Sequence, residues 1–162
     1  MDTHDFIARY AGVYEHSPWV AERVAGIAAE ETGTRRIAEL MADCVDNADR
    51  EKQLALIRAH PDLAGKAQVA GDLTVDSQAE QTSAGLHLCT RVQYEKFQAL
   101  NDAYKDKFGF PFVMAVRGSN CDEILAAFSA RLQNDYDVEF ETALEEIHKI
   151  ARLRLENMEA GE

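Results

Sequence analysis

The chain has 162 residues, 46% hydrophobic and 28% charged, with a formal net charge of −12, proportions suited to one compact domain over residues 1–162. Excess acid repels phosphate backbones and anionic bilayers, which argues against nucleic acid and membrane as partners; a small anion stays open, because one Arg can dominate inside a cleft. No apolar run approaches the ~20 residues of a membrane span.

Long stretches of helix formers and only three prolines predict an all-α fold, a single domain of about seven or eight helices with no sheet. A short helix is expected from Thr3 to Arg9. In "EHSPWVAERVAG", Ser17 reads as an N-cap with Pro18 at the first helical position, where a missing N–H costs nothing. Gly33 breaks the chain before "TRRIAELMADCVDNA", and a further helix covers "DREKQLALIRA" up to His60. A loop with two glycines, "HPDLAGKAQVAGDLTVD", follows. The longest helix is expected from Ala79 to about Lys107, with Gly109 as its left-handed cap. "FGFPFVMAV" is the only strand-like stretch; with nothing to pair with, it reads as an extended or single-turn connector. Asn120 caps the next helix with Glu123 as capping-box partner, and a last helix runs from about Val138 to Met158.

The three cysteines, Cys44, Cys89 and Cys121, are widely spaced and never in a C-x-x-C arrangement. They read as free thiols of a reducing compartment. The acidic N-terminus lacks a secretion signal and the C-terminus lacks a peroxisomal tripeptide, so cytoplasm is the expected location.

Three places break the local rules. His60 closes a helix directly before Pro61, where an α-conformation is disfavoured and the rigid ring fixes the direction of the imidazole. It is either a partner for the helix dipole or an oriented acid–base group. Ser77 and Glu80 form a Ser-x-x-Glu pattern, which is either a capping box or part of an anion site at a helix start. On the last helix, at about 100° per residue, Phe140, Leu144, Ile147, Ala151 and Met158 share one stripe, whereas Lys149 and Arg152 point away. Arg154 falls inside that stripe, so it is either a salt bridge in the core or a guanidinium lining a pocket. No metal is expected: there is a single Glu-x-x-His, from Glu145 to His148, no H-E-x-x-H and no Cys/His cluster, and His4, His16 and His87 share no ligand spacing with His60. A P-loop and a G-x-G-x-x-G are also missing, which argues against a nucleotide.

Together "YAGVYEHSPWVAE", "AHPDLAGK", "LTVDSQAEQTSAGL", "LNDAYKDKFGFPFVMAVRG" and "EIHKIARLRL" resemble the 2-oxo-4-hydroxy-4-carboxy-5-ureidoimidazoline (OHCU) decarboxylases of urate breakdown, from Phe6 to Leu155. The one departure, Ala11 in place of a second glycine-like residue, touches no expected role. The resemblance implies an all-α homodimeric enzyme that needs no cofactor and converts OHCU, a small-molecule substrate, to (S)-allantoin and carbon dioxide. It implies that His60 is the essential histidine, with Pro61 beside it on the substrate. Ser77 and Glu80 would act at the helix start, with Gln78, Ala79 and Gln81 in the same binding segment. Arg154 would be the C-terminal arginine, and Phe112, Val113, Met114, Ala115 and Val116 would line the pocket.

The chemistry is consistent with that. The carbon that loses its carboxylate also bears a hydroxyl and adjoins a C=N bond, so the substrate carries its own electron sink and an added one would be redundant. Two other readings stay open: a different lyase or isomerase acting on a related ureido ring, and a non-catalytic helical binding module.

Overall fold

A computed structural model describes residues 1–30, 33–65 and 72–161. Among them are eight α-helices, one 3-10 turn and no strand, which agrees with the all-α expectation. Lys66 and Gly71 of the glycine-containing loop lie outside the described residues. By internal packing the chain divides into two compact units, residues 1–60 with 144–162, and residues 61–143.

In the first unit, α1 (Thr3–Tyr10) is capped by Asp2, whose carboxylate accepts from the Asp5 N–H at 2.8 Å. Helix α2 (Trp19–Ala28) packs on α1 and on α3 (Thr34–Asp46). The buried face of α3 is Ile37, Ala38, Met41 and Val45, at helical spacing. Ser17 does not cap α2: its hydroxyl turns back and donates to the Glu15 carbonyl at 2.9 Å. Half-buried Trp19 opens α2, with the Arg23 guanidinium 4.9 Å and the Lys52 ammonium 5.3 Å from its ring. Helix α4 (Arg50–Arg58) begins at Asp49, which accepts from the Lys52 N–H at 2.8 Å.

The second unit holds α5 (Val75–Ser83), a 3-10 turn (Leu86–Leu88), α6 (Arg91–Phe108) and α7 (Cys121–Leu132). The single long helix expected from Ala79 to Lys107 is in fact two. Gly85 takes a left-handed conformation (φ +72°) and stops the first. Thr90 and Gln93 then form a reciprocal capping box that starts α6. Gly109 closes α6 in the left-handed conformation, as expected. The segment after it is a connector with no strand, and Asn120 caps α7 by accepting from the Glu123 N–H at 2.9 Å. The core here is aromatic: Tyr104 meets Phe108, Phe110, Phe112 and Phe128 at ring separations of 4.5–5.9 Å.

The reading of three free thiols is also corrected. Cys89, just after the 3-10 turn, and Cys121, the first residue of α7, form a disulfide, and Cys44 alone is free. Spacing could not reveal this, since the two residues lie 32 positions apart in sequence. The longest helix is α8 (Tyr136–Ala160). Tyr136–Ala143 belong with the second unit and the remainder with the first.

Candidate active site

In the first unit, α4 ends at Arg58 and the chain bends at His60, whose N–H still reaches the Ile57 carbonyl at 3.2 Å. The His60 Nδ1 lies 3.0 Å from the Leu56 carbonyl oxygen. A carbonyl can only accept, so Nδ1 carries the hydrogen and Nε2 keeps its lone pair. His60 is 7% exposed. Burial, the largest influence, lowers its pKa to about 4, and Arg154 and His16 lower it too, against raising contributions from the Leu56 hydrogen bond and Glu15. The ring is therefore neutral near neutral pH. A neutral ring brings no charge to the helix dipole, so only the hydrogen bond remains of that reading.

Arg154 is 5% exposed, on the buried stripe of α8, with Lys149 and Arg152 outward as the spacing required. Its Nη2 lies 3.4 Å from Glu15 Oε2, and Nη1 donates to the Gly12 and Val13 carbonyls, each at 3.4 Å. The buried salt bridge weighed from the sequence is thus present, with contacts at the long end of hydrogen bonding. Its acid is Glu15, itself 2% exposed.

The neighbouring residue belongs to another polar chain. The Tyr14 hydroxyl donates to His148 Nδ1 at 2.8 Å, and His148 Nε2 donates to Asp46 at 3.0 Å. Burial first, then the Asp46 and Cys44 charges, push the Tyr14 pKa up, so its proton is held. Tyr14 and His148 face a groove of about 880 Å³ shared with Thr34, Ala38 and Ala151.

The second unit carries the other expected residues. Ser77 is not the N-cap of α5. Thr74 is, accepting from the Ser77 N–H at 3.2 Å. Ser77 is a buried residue one turn inside the helix and Glu80 is half-buried one turn further on, so the Ser77–Glu80 capping box is overturned. Gln81 is buried and holds the loop after His60: its Oε1 accepts from the Ala64 N–H at 3.0 Å and its Nε2 donates to the Asp62 carbonyl at 3.1 Å. Gln78 donates to Thr82, while its own Oε1 is buried with no partner among the described residues. Ala79 is exposed and Pro61 half-buried.

In the connector, Phe112, Val113 and Val116 are buried and Met114 and Ala115 half-buried. The segment is gripped from α7: Arg131 Nη1 donates to the Val113 carbonyl at 2.6 Å, and the guanidinium lies 4.3 Å from the Phe112 ring. Arg131 Nε pairs at 2.9 Å with Glu139, which is fully buried and also accepts from Tyr104 and Asn134.

The chain and its fold have relatives among known proteins. The family model of OHCU decarboxylase matches residues 1–156. The chain is 46% identical over 155 residues to a 2-oxo-4-hydroxy-4-carboxy-5-ureidoimidazoline decarboxylase of Haloferax volcanii, covering 96% of this chain and 89% of that one. It is 40% identical to a uric acid degradation bifunctional protein of Bacillus subtilis, of which it spans 32%. Among solved structures, an (S)-allantoin synthase superposes with a TM-score of 0.77 at 32% identity, over 97% of this chain and 50% of that one. An OHCU decarboxylase crystallised in the presence of (S)-allantoin superposes with a TM-score of 0.74 at 23% identity, over 91% of this chain and 95% of that one, a likeness of fold. By class this is an all-α carboxy-lyase. The chain belongs to the OHCU decarboxylase family.

Sequence reasoning passed over Glu15, Tyr14 and Asp46. Glu15 sits in a short segment between helices with no periodicity to mark it as buried. The available signal was chemical: an Arg on an apolar stripe requires an acid, and no acid lies on that stripe itself.

Proposed function

We propose that this chain catalyses the decarboxylation of OHCU to (S)-allantoin and carbon dioxide with no cofactor. The observation that carries the reading is the near-full-length likeness to OHCU decarboxylases joined to a buried, neutral, oriented His60. In this reading His60 Nε2 takes the hydroxyl proton of the substrate. The carbon–carboxylate bond breaks, its electron pair moves into the adjacent C=N, and the ring nitrogen takes up a solvent proton. The resulting enolate collapses to the carbonyl as the His60 imidazolium gives the proton it took from the hydroxyl to one face of the neighbouring carbon.

Arg154 binds the carboxylate or a ring carbonyl and Glu80 the ring or ureido N–H groups. Ser77 positions the ring, with Pro61, Gln78, Ala79, Gln81 and the Phe112–Val116 backbone as further contacts. The protein works as a homodimer in the cytoplasm, although the Cys89–Cys121 disulfide takes away the thiol argument for a reducing compartment made from the sequence. No described helix is long and apolar enough to cross a membrane.

OHCU decays unaided to racemic allantoin, so the test is circular dichroism of a urate oxidation mixture with and without the protein. Faster OHCU loss with optically active allantoin is expected. An unchanged rate and a racemate would leave a helical binding module, in which the Arg154–Glu15 pair is purely structural.

A further inference from the structure

Glu15 has no part in the steps just given, yet it is built into the first unit as firmly as His60. It precedes His16, which adopts a left-handed conformation (φ +46°), and its own carbonyl receives the Ser17 hydroxyl at 2.9 Å. A carboxylate 2% exposed is costly unless matched by an opposite charge, and Arg154 supplies one 3.4 Å away. At rest the pair is neutral overall and His60 is uncharged.

Turnover upsets that balance. When His60 Nε2 accepts the hydroxyl proton an O–H bond breaks, an N–H bond forms, and an imidazolium appears in the field of Arg154. Among the described residues, the charged and titratable groups acting on His60 are Glu15, Arg154 and His16. Of these, Glu15 alone has an anionic form, and its charge favours the protonated ring whereas the other two oppose it. As the proton leaves for carbon, the resting balance returns.

We propose that Glu15 is a positioning residue of this reaction: its buried carboxylate anchors Arg154 and is the counter-charge for the imidazolium that His60 becomes during each turnover. This rests on the decarboxylase reading above.

The experiment compares full-length wild type, Glu15→Gln and Glu15→Asp by kcat and KM for OHCU and by an NMR titration of the His60 ring, with far-UV circular dichroism as the check on folding. Glu15→Gln is expected to lower kcat about 100-fold, to change KM less than about threefold, and to move the His60 midpoint to lower pH; Glu15→Asp is expected to recover kcat to within about tenfold of wild type. A folded Glu15→Gln with wild-type kcat, or Gln and Asp variants equally impaired, overturns the proposal. Should Glu15→Gln not fold, Glu15→Asp decides: folded with kcat within that range and a wild-type His60 midpoint, it supports the proposal; folded but inactive, it overturns it. Failure of the wild type itself to speed OHCU loss would sink the decarboxylase reading, while the titration of His60 would still report on the charge coupling.

Discussion

The Nδ1 of His60 lies 3.0 Å from the carbonyl of Leu56, so the ring is fixed by its own helix with one nitrogen committed and the other left for chemistry. With the pKa lowered to about 4, the neutral, active form persists well into acid. Activity as kcat/KM should stay level from neutral pH to about 5 and fall only below it. His60→Asn should abolish turnover with an unchanged helical spectrum.

The same shift makes stability depend on pH. The unfolded histidine has a pKa near ~6.5, above the folded value of about 4, so between these limits the unfolded chain binds more protons. The contribution of His60 is complete above about pH 6.5 and is lost as pH falls through that window, by about 2 kcal/mol at about pH 5. Urea titrations at pH 7.5 and 5 should therefore show a larger drop for wild type than for His60→Asn. Equal drops would mean that the ring is not desolvated.

Arg154 and Glu15 should behave as one unit. Arg154→Met leaves a buried carboxylate without its cation and should cost about 3–5 kcal/mol. Adding Glu15→Gln to that variant should return part of the loss. A double-mutant cycle by thermal or urea unfolding measures the coupling, and strict additivity would show that the pair contributes nothing.

Glu139 gathers Arg131, Tyr104 and Asn134 with no exposure to solvent. Glu139→Ala strands a partly buried guanidinium and two donors, with an expected cost of about 3–5 kcal/mol. Because Arg131 also holds the Val113 carbonyl, the milder Glu139→Gln should loosen the connector. KM for OHCU should then rise more than kcat falls.

The Cys89–Cys121 bond should be visible as a thiol count. One thiol is expected to react in the unfolded, unreduced protein and three after reduction. Closing a loop of this length is worth about 3–4 kcal/mol on the chain-entropy account, so replacing both residues by Ser should lower the unfolding midpoint accordingly. Three reactive thiols before reduction would show that the bond does not form.

Much of this was legible in the residues. Asn120, Gly109 and the stripe that buries Arg154 follow from local rules of capping and periodicity, which need no knowledge of the rest of the chain. Ser77 shows the weakness of such rules: Thr74 offers the same kind of oxygen one turn earlier, and the chain took it. Glu15 and the disulfide were hidden for a different reason. Each depends on residues far away in sequence being brought together, which no local pattern records.

Trp19, the only tryptophan of the chain, lies in the first unit with Arg23 and Lys52 over its ring. Its emission therefore reports on the unit of residues 1–60 and 144–162. A fluorescence trace and a far-UV trace that coincide would establish cooperative unfolding of the whole chain, whereas a single fluorescence curve, however sharp, would describe only one half of it.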